Sequence, residues 1–525
     1  MDASMVSQLK GKELYHRITQ RIPEIDGYLS KVISYAYKNP ILISNPVLSR
    51  NPFSSSLLLK AARGLPSKKL RFLLVILLCN LVKYYLKSLA FLGLYLLHFM
   101  TFKISKLRFR KHEIDKDKPV IILNTFIMID RVYPKKKFED TFFGELYEVL
   151  RSNEKQYVIL CILFGDKPWN LKRRIDTYNI IADDGRNFVT EFDLMRVWDW
   201  ICMLGFIFSY PFLCFGLLAK EFGKFDMLLK EEIVETLDSV NLPEYVRYLA
   251  GRRISLLTDM RIKVISWWEN QAIDKMLFRG ILDNIDDVEL FGCQFFAKPF
   301  QWRNIYPLDE EKKLGVLPNV ILVSGKYYLN ENSALNFKLG FSPRYSYLFN
   351  IRLNDASDSK RSGLLLLLPY SIDDSRRIIK MVEIYQTEKY IPLITIKLHP
   401  NHLMTAPFKI PENWKYTEEN LETLCPRASI VVTSESSAAL EAAVMGCSII
   451  IVGADDGLTF NPMPEYGKSK IWDLVFDIKE FQQAVERLSE YRHENPGEIV
   501  SMAELLRDMF FTKSTKKKYI KIFDL

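Results

Sequence analysis

Between residues 316 and 475, short apolar runs alternate with stretches of helical character. LPNVILVSG, SGLLLLLPY, PLITIKLHP, SIVVTS and SIIIVG are apolar at consecutive positions, so the strands they predict must be covered on both faces. SIDDSRRIIKMVEIYQTEKY, TEENLETLCPRA and SSAALEAAVMG lie between the later runs and read as helices. Strands alternating with helices over short links predict an α/β fold with a doubly wound parallel sheet. A less regular version of the pattern comes earlier: PVIILNTF and QYVILCILF read as strands, with FGELYEVLRSN as the helix between them. The pattern divides the chain into a helical module over 1–112, a Rossmann-like domain over 113–315 and a second over 316–490. Residues 491–525 supply a C-terminal helix and a basic tail.

Two apolar stretches do not fit either sheet. Residues 71–103 and 200–220 are each long enough to approach a membrane span, the first interrupted by Lys83 and Lys87 and the second by Pro211. A lysine at mid-bilayer costs about 2.5–3.5 kcal/mol, so the first stretch predicts an interfacial helix or hairpin rather than a span. Pro211 should kink the second into an in-plane or re-entrant element. A buried core helix is the alternative for both.

Charge favours the membrane surface. The chain carries a net +9, and residues 1–120 hold 21 Lys/Arg against seven Asp/Glu. That positive charge brackets apolar runs instead of alternating with stacking aromatics, which points to anionic lipid and away from nucleic acid. The polar N-terminus has no apolar leader core, and the seven cysteines are scattered singly, as in a reduced compartment. The expected location is therefore the cytoplasmic face of a membrane, peripheral or monotopic. Neither histidines nor acidic residues cluster at metal-ligand spacing, so no metal site is expected.

In open parallel sheets, ligands bind beyond the carboxyl ends of the strands. His399, Pro400 and Asn401 follow the run PLITIKL, and Thr433, Ser434, Ser436 and Ser437 follow SIVV. The serines open a predicted helix, where hydroxyls and free backbone N–H groups suit a phosphate. Glu441, four residues beyond Ser437, could accept hydrogen bonds from ribose hydroxyls. Gly446 should end the helix, and Gly325, closing LPNVILVSG, joins the candidate nucleotide-binding set.

KLHP followed by TSESSAALEAAVMG resembles the HP and SS/ST motifs of bacterial sialyltransferases, polysialyltransferases and capsule Kdo transferases. A similar pair occurs in CDP-glycerol glycerophosphotransferases. Over roughly residues 115–460, EDTFFGELYEVLRSNEKQYVIL, SWWENQAIDKMLF, FGCQFFAKP and PNVILVSGKYYL also resemble surface-carbohydrate proteins of O-antigen or capsule loci. The resemblance implies a GT-B-like fold, two Rossmann-like domains facing a cleft, with the N-terminal helical module on the membrane. It implies an inverting, metal-independent glycosyltransferase that moves an acidic sugar from a CMP-activated donor to a glycan or lipid-linked acceptor. The nucleotide sugar is then a substrate, and no cofactor is expected. His399, Ser436 and Ser437 would hold the nucleotide phosphate.

A general base must reach the acceptor from the opposite wall of the cleft, so it should come from the first domain. Asp183 is the first candidate, because Asp183-Asp184-Gly185 matches the acidic motif of sialyltransferases and precedes HP and SS. Asp140 and Glu269 are the others, Glu269 following two tryptophans that could shape a sugar site. The alternatives are a CDP-glycerol- or CDP-ribitol-type phosphotransferase and a non-catalytic scaffold of a glycan assembly complex. Oligomeric state is left open.

Overall fold

A computed structural model describes residues 11–64, 70–109, 114–140, 142–331, 333–351, 353, 361–389, 391, 393–399 and 409–525. Two parallel sheets organise the chain. The first contains β1 (Val120–Met128), β2 (Tyr157–Phe164), β3 (Phe188–Val189), β4 (Ile262–Trp267), β5 (Val288–Gln294), β6 (Val320–Val323) and β7 (Phe337–Leu339), in the spatial order β3-β2-β1-β4-β5-β6-β7. The second contains β8 (Leu364–Leu367), β9 (Ile394–Lys397), β10 (Lys415–Tyr416), β11 (Ile430–Thr433), β12 (Ser448–Val452) and β13 (Trp472–Val475), in the order β10-β9-β8-β11-β12-β13.

Each sheet starts near its middle and winds outward in both directions. The order therefore reverses between β1 and β4, where Val120 lies opposite Ile262, and between β8 and β11, where Leu364 lies opposite Ile430. The loops beyond these two strand pairs diverge to opposite faces and leave a crevice between them. This is the α/β, GT-B-like architecture of two Rossmann-like units.

The helices used below are α1 (Gly11–Tyr35), α2 (Leu70–Ile104), α3 (Leu171–Ala182), α4 (Val197–Leu218), α5 (Ala272–Leu282), α6 (Ile372–Glu388), α7 (Ala438–Val444), α8 (Ile478–Glu494), α9 (Pro496–Phe510) and α10 (Lys516–Phe523). Gly446, at φ +81°, ends α7 in the left-handed conformation that glycine adopts without strain.

Two boundaries differ from the sequence expectation. LPNVILVSG is not the first strand of the second sheet: it forms β6, where Gly292 of β5 pairs with Ile321. The division lies between β7 and β8 instead of at residue 315, because a short apolar run carries no mark of which sheet will cover it. Residues 491–525 are no separate tail either. Their α10 returns to the first sheet, with the Tyr519 ring 4.2 Å from Phe341 and its hydroxyl donating to the Phe143 carbonyl at 3.2 Å.

The N-terminal module also joins both units. Lys12 pairs with Glu480 of α8 at 2.5 Å, and Tyr15 lies 5.8 Å from Phe476 in the second unit. Toward the first unit, Arg303 pairs with Asp26 and Arg50 with Glu311. Glu311 is fully buried and accepts hydrogen bonds from Lys275 of α5 at 2.6 Å, Asn270 at 3.1 Å and the Leu308 amide at 2.9 Å.

The helices α2 and α4 have an inverted distribution of polarity. The face of α2 turned toward the protein carries Asn80, Tyr84, Ser88 and His98, all buried, with Asn80 donating to the Val234 carbonyl at 2.8 Å. The outward face exposes Leu74, Leu78, Val82, Leu86, Leu97 and Met100. The neighbouring α4 exposes Trp198, Ile201, Phe208 and Phe212, and Phe208 meets Tyr85 of α2 at 5.9 Å. Pro211 sits within α4, which continues to Leu218. Both helices are long and apolar enough to cross a membrane by length and composition.

Candidate functional site

A cavity of about 330 Å³ lies where the carboxyl edges of the two sheets meet. From the first unit it is lined by Trp267 and Glu269 at the end of β4. From the second it is lined by Tyr370 beyond β8, His399 beyond β9, and Glu435, Ser436 and Ser437 beyond β11. Arg344, on the connection between the units, lines it as well, and Phe53 reaches it from the N-terminal region. The switch points of both sheets thus contribute side chains to one space.

The second-unit wall is polar. Ser436 accepts a hydrogen bond from the Ala438 amide at 3.2 Å, and its own amide donates to the Ser434 carbonyl at 3.0 Å, which fixes the tight turn into α7. The His399 ring meets Tyr370 edge-on at 5.7 Å. Arg344 is exposed to the cavity, lies 5.7 Å from the Tyr345 ring, and makes no hydrogen bond or ion pair among the described residues. It is a cation available to an anion.

On the opposite wall, Glu269 accepts from Trp267 Nε1 at 3.1 Å and from Gln271 Nε2 at 2.7 Å. Burial raises its pKa, and these two donors and Arg344 oppose the rise. A carboxylate held this way is oriented and more basic than an ordinary one. Trp267 lines the cavity, whereas Trp268 is enclosed in the core. Glu435, at the rim, has its pKa pushed up to about 7 by burial, with Asp374 and Asp456 adding to the shift. The rim continues into a larger cavity of about 1020 Å³, lined by Asp374, Arg377, Lys380, Asp455 and Asp456. There Arg377 bridges Asp374 and Asp455, each at 2.7 Å.

Other candidates from the sequence lie elsewhere. Asp183 caps the C-terminal end of α3, is 65% exposed and pairs with Lys106 at 3.2 Å, so it is removed as a base. The preceding NIIA is the last turn of α3, so the acidic pair stands at a helix end. Asp140 is half-buried and accepts from the Phe142 and Phe143 amides and from Tyr147; it organises the loop before residue 146. Glu441 does not point at a ribose: it is buried and accepts from the Tyr347 hydroxyl.

Ser434 is buried behind the turn and does not line the cavity. Gly325 serves packing instead of ligand binding, since a Cβ there would lie 2.2 Å from the Phe510 carbonyl carbon. Pro400 and Asn401 lie outside the described residues. Among the described residues no group of three or more His, Cys, Asp or Glu could hold a metal ion.

No protein-family model matches the chain, and no curated protein matches it in sequence. Solved structures with a similar arrangement include MurG of Acinetobacter baumannii, 9% identical, covering 78% of this chain and 99% of its own at a TM-score of 0.42. UDP-GlcNAc 2-epimerase from Neisseria meningitidis, bound to UDP-GlcNAc, is 10% identical over 77% of this chain and 98% of its own at 0.41. The wall teichoic acid polymerase TagF is 10% identical over 86% and 97% at 0.35. Likeness of this degree does not extend to ligands or chemistry.

Proposed function

We propose that this chain is an inverting glycosyltransferase that takes a nucleotide sugar in the cleft between its two units. The observation that carries the reading is the 330 Å³ cavity, which Glu269 lines from the first unit and which Arg344, His399, Ser436 and Ser437 also line as groups of the chemistry that suits a phosphate. Glu269 would take the proton of the acceptor hydroxyl as its oxygen bonds to the anomeric carbon. The bond from that carbon to the phosphate oxygen breaks, and the electron pair leaves with the nucleotide. Arg344 and the serine hydroxyls stabilise the negative charge that develops there. The nucleoside would extend into the adjoining cavity.

The finer reading, a CMP-activated acidic sugar, is supported by the KLHP and TSESS segments supplying His399, Ser436 and Ser437 to one space. Turnover tests the proposal. Incubation with CMP-, UDP- and TDP-linked sugars and a membrane lipid extract should release one nucleotide, and Glu269→Gln should slow that release about 10²–10⁴-fold. An undiminished rate in Glu269→Gln would remove the base from the proposal. Mass analysis of the product separates sugar transfer from phosphate transfer.

Glu435 gives the reaction a pH dependence. Below about pH 7 its carboxyl is protonated, and above that it adds negative charge beside the phosphate site. Nucleotide affinity should fall as pH rises from 6 to 8. Glu435→Gln should flatten that profile, and an unchanged profile would contradict Glu435 as its source.

The acceptor side of the reading is a membrane one. A water-facing helix presents polar groups outward, whereas α2 packs Asn80, Tyr84, Ser88 and His98 inward and exposes leucines beside Lys83 and Lys87, whose long stems suit a headgroup layer. With Lys103, Lys106 and Arg108 at the C-terminal end of α2 and just beyond, α2 and α4 would lie in the plane of an anionic leaflet. The chain should float with vesicles containing phosphatidylglycerol, and the double variant Leu78→Glu, Leu86→Glu should stay in solution. Equal behaviour of the two proteins would contradict this placement.

A further inference from the structure

A third cavity, of about 430 Å³, lies beside the first, that of 330 Å³, and takes no part in the chemistry above. Tyr15 and Thr19 of α1, Lys298, Phe300, Gln301 and Tyr306 of the first unit with its segment Tyr327 to Asn330, and Asn461 to Glu465 of the second contribute to its walls. We propose that it binds an acidic carbohydrate, with Lys298 receiving the acid group.

Lys298 is the reason for the acid. It is 4% exposed and forms no ion pair among the described residues; its ammonium donates to Gln294 Oε1 at 3.0 Å. The same ammonium lies 4.8 Å from the centre of the Tyr328 ring and 5.3 Å from that of Tyr306. Both tyrosine hydroxyls hold the lysine backbone: Tyr306 donates to its carbonyl at 2.8 Å, and Tyr328 accepts from its amide at 2.9 Å. A buried lysine with no counter-ion is costly, and burial moves its pKa down to about 7. An entering carboxylate or phosphate supplies the missing charge.

The remaining walls suit a sugar. Phe300, Tyr306, Tyr327 and Phe337 offer ring faces to C–H groups, while Asn330 and Asn461 offer amides to hydroxyls. Gln301 is buried, donates to the Tyr15 hydroxyl at 3.3 Å, and has no donor to its own Oε1 among the described residues. A ligand hydroxyl would satisfy it after a small shift. The segment from Pro299 to Trp302 divides these two cavities, Pro299 and Trp302 facing the first and Phe300 and Gln301 the third. One glycan could therefore reach both, but binding here does not require that the first cavity transfer sugar.

Saturation-transfer NMR on the full chain tests this, with glucuronic acid and N-acetylneuraminic acid as probes and glucose as the neutral control. Both acids should show transfer and glucose none. Lys298→Met, a neutral replacement of similar length, should reduce the acid signals at least about tenfold. Tyr327→Ala, at a half-exposed position, should weaken them several-fold with the fold intact, and it decides the question if Lys298→Met fails to fold. Equal signals from acids and glucose, or acid signals untouched by Tyr327→Ala, would overturn the proposal. Signals that persist in Lys298→Met and vanish in Arg344→Met would move the acid to the first cavity and overturn it as well.

Discussion

Replacing Glu311 with alanine is expected to destabilise the protein by about 3–5 kcal/mol, the usual effect of removing one partner from a buried ion pair. Glu311 and Lys275 are both fully buried, and the Arg50 side chain reaching Glu311 is almost so. Without the carboxylate, two cations remain in the interior with little to compensate them. Arg50 keeps the Tyr306 carbonyl and Asp26, whereas Lys275 keeps, among the described residues, a hydrogen bond to the Ser49 carbonyl at 3.3 Å. Thermal unfolding followed by circular dichroism checks the size of the effect.

A loss under about 1 kcal/mol would mean that water reaches the lysine. Burial pushes the Glu311 pKa up, but Lys275 and Arg50 outweigh it and hold the carboxyl below its ordinary value. The stabilisation is therefore present above the ordinary carboxylate range and is lost as pH falls through the lowered value. Arg50 also precedes Phe53, which stacks on Phe460 at 4.9 Å across the cleft. Loosening Arg50 should disturb the mouth of the first cavity together with the fold.

Arg344→Met should weaken nucleotide binding about 10- to 100-fold, in line with about 1.5–3 kcal/mol for a hydrogen bond to a charged group. The melting temperature should hardly move, because the guanidinium has no ion pair among the described residues to lose. That separation of affinity from stability is what distinguishes a ligand-facing cation from a structural one. Titration calorimetry beside a thermal melt measures both. A large drop in melting temperature with unchanged affinity would assign Arg344 to the framework of the fold.

His399, Ser436 and Ser437 could be placed from the sequence because each follows an apolar run, and parallel strands present their carboxyl ends along one edge. Glu269 was legible from the two tryptophans before it, and it stands just beyond β4 on the cavity's other wall. Arg344 was not: it lies on the short 3-10 segment Pro343–Phe349 that links the units, with no hydrophobic periodicity to mark it, and its importance comes from what faces it. Glu435 stands inside the quoted TSESS run, yet its raised pKa depends on burial and on Asp374 and Asp456, which other loops supply.

Local pattern also misled. Asp183-Asp184-Gly185 has the residue types of an acidic motif, but they fall at the exposed end of α3. Gly325 follows an apolar run like the ligand-binding loops, but its missing side chain admits the backbone of α9. Domain limits were least legible, because the contacts that tie α1 and α10 across the molecule join residues hundreds of positions apart. Lys12 with Glu480 is one such contact, and Lys263, whose ammonium donates to the Phe523 carbonyl, is another.

In the proposed function, imidazole, hydroxyls and guanidinium from separate loops grip one nucleotide phosphate. The most direct measurement is a calorimetric titration of the intact chain with CMP, CDP, UDP and TDP, repeated on His399→Ala and on Asp183→Asn. At least one nucleotide should bind with a single site, lose most of its affinity in His399→Ala and keep it in Asp183→Asn. Heat-silent titrations with all four nucleotides, or an affinity indifferent to His399→Ala, would contradict the account.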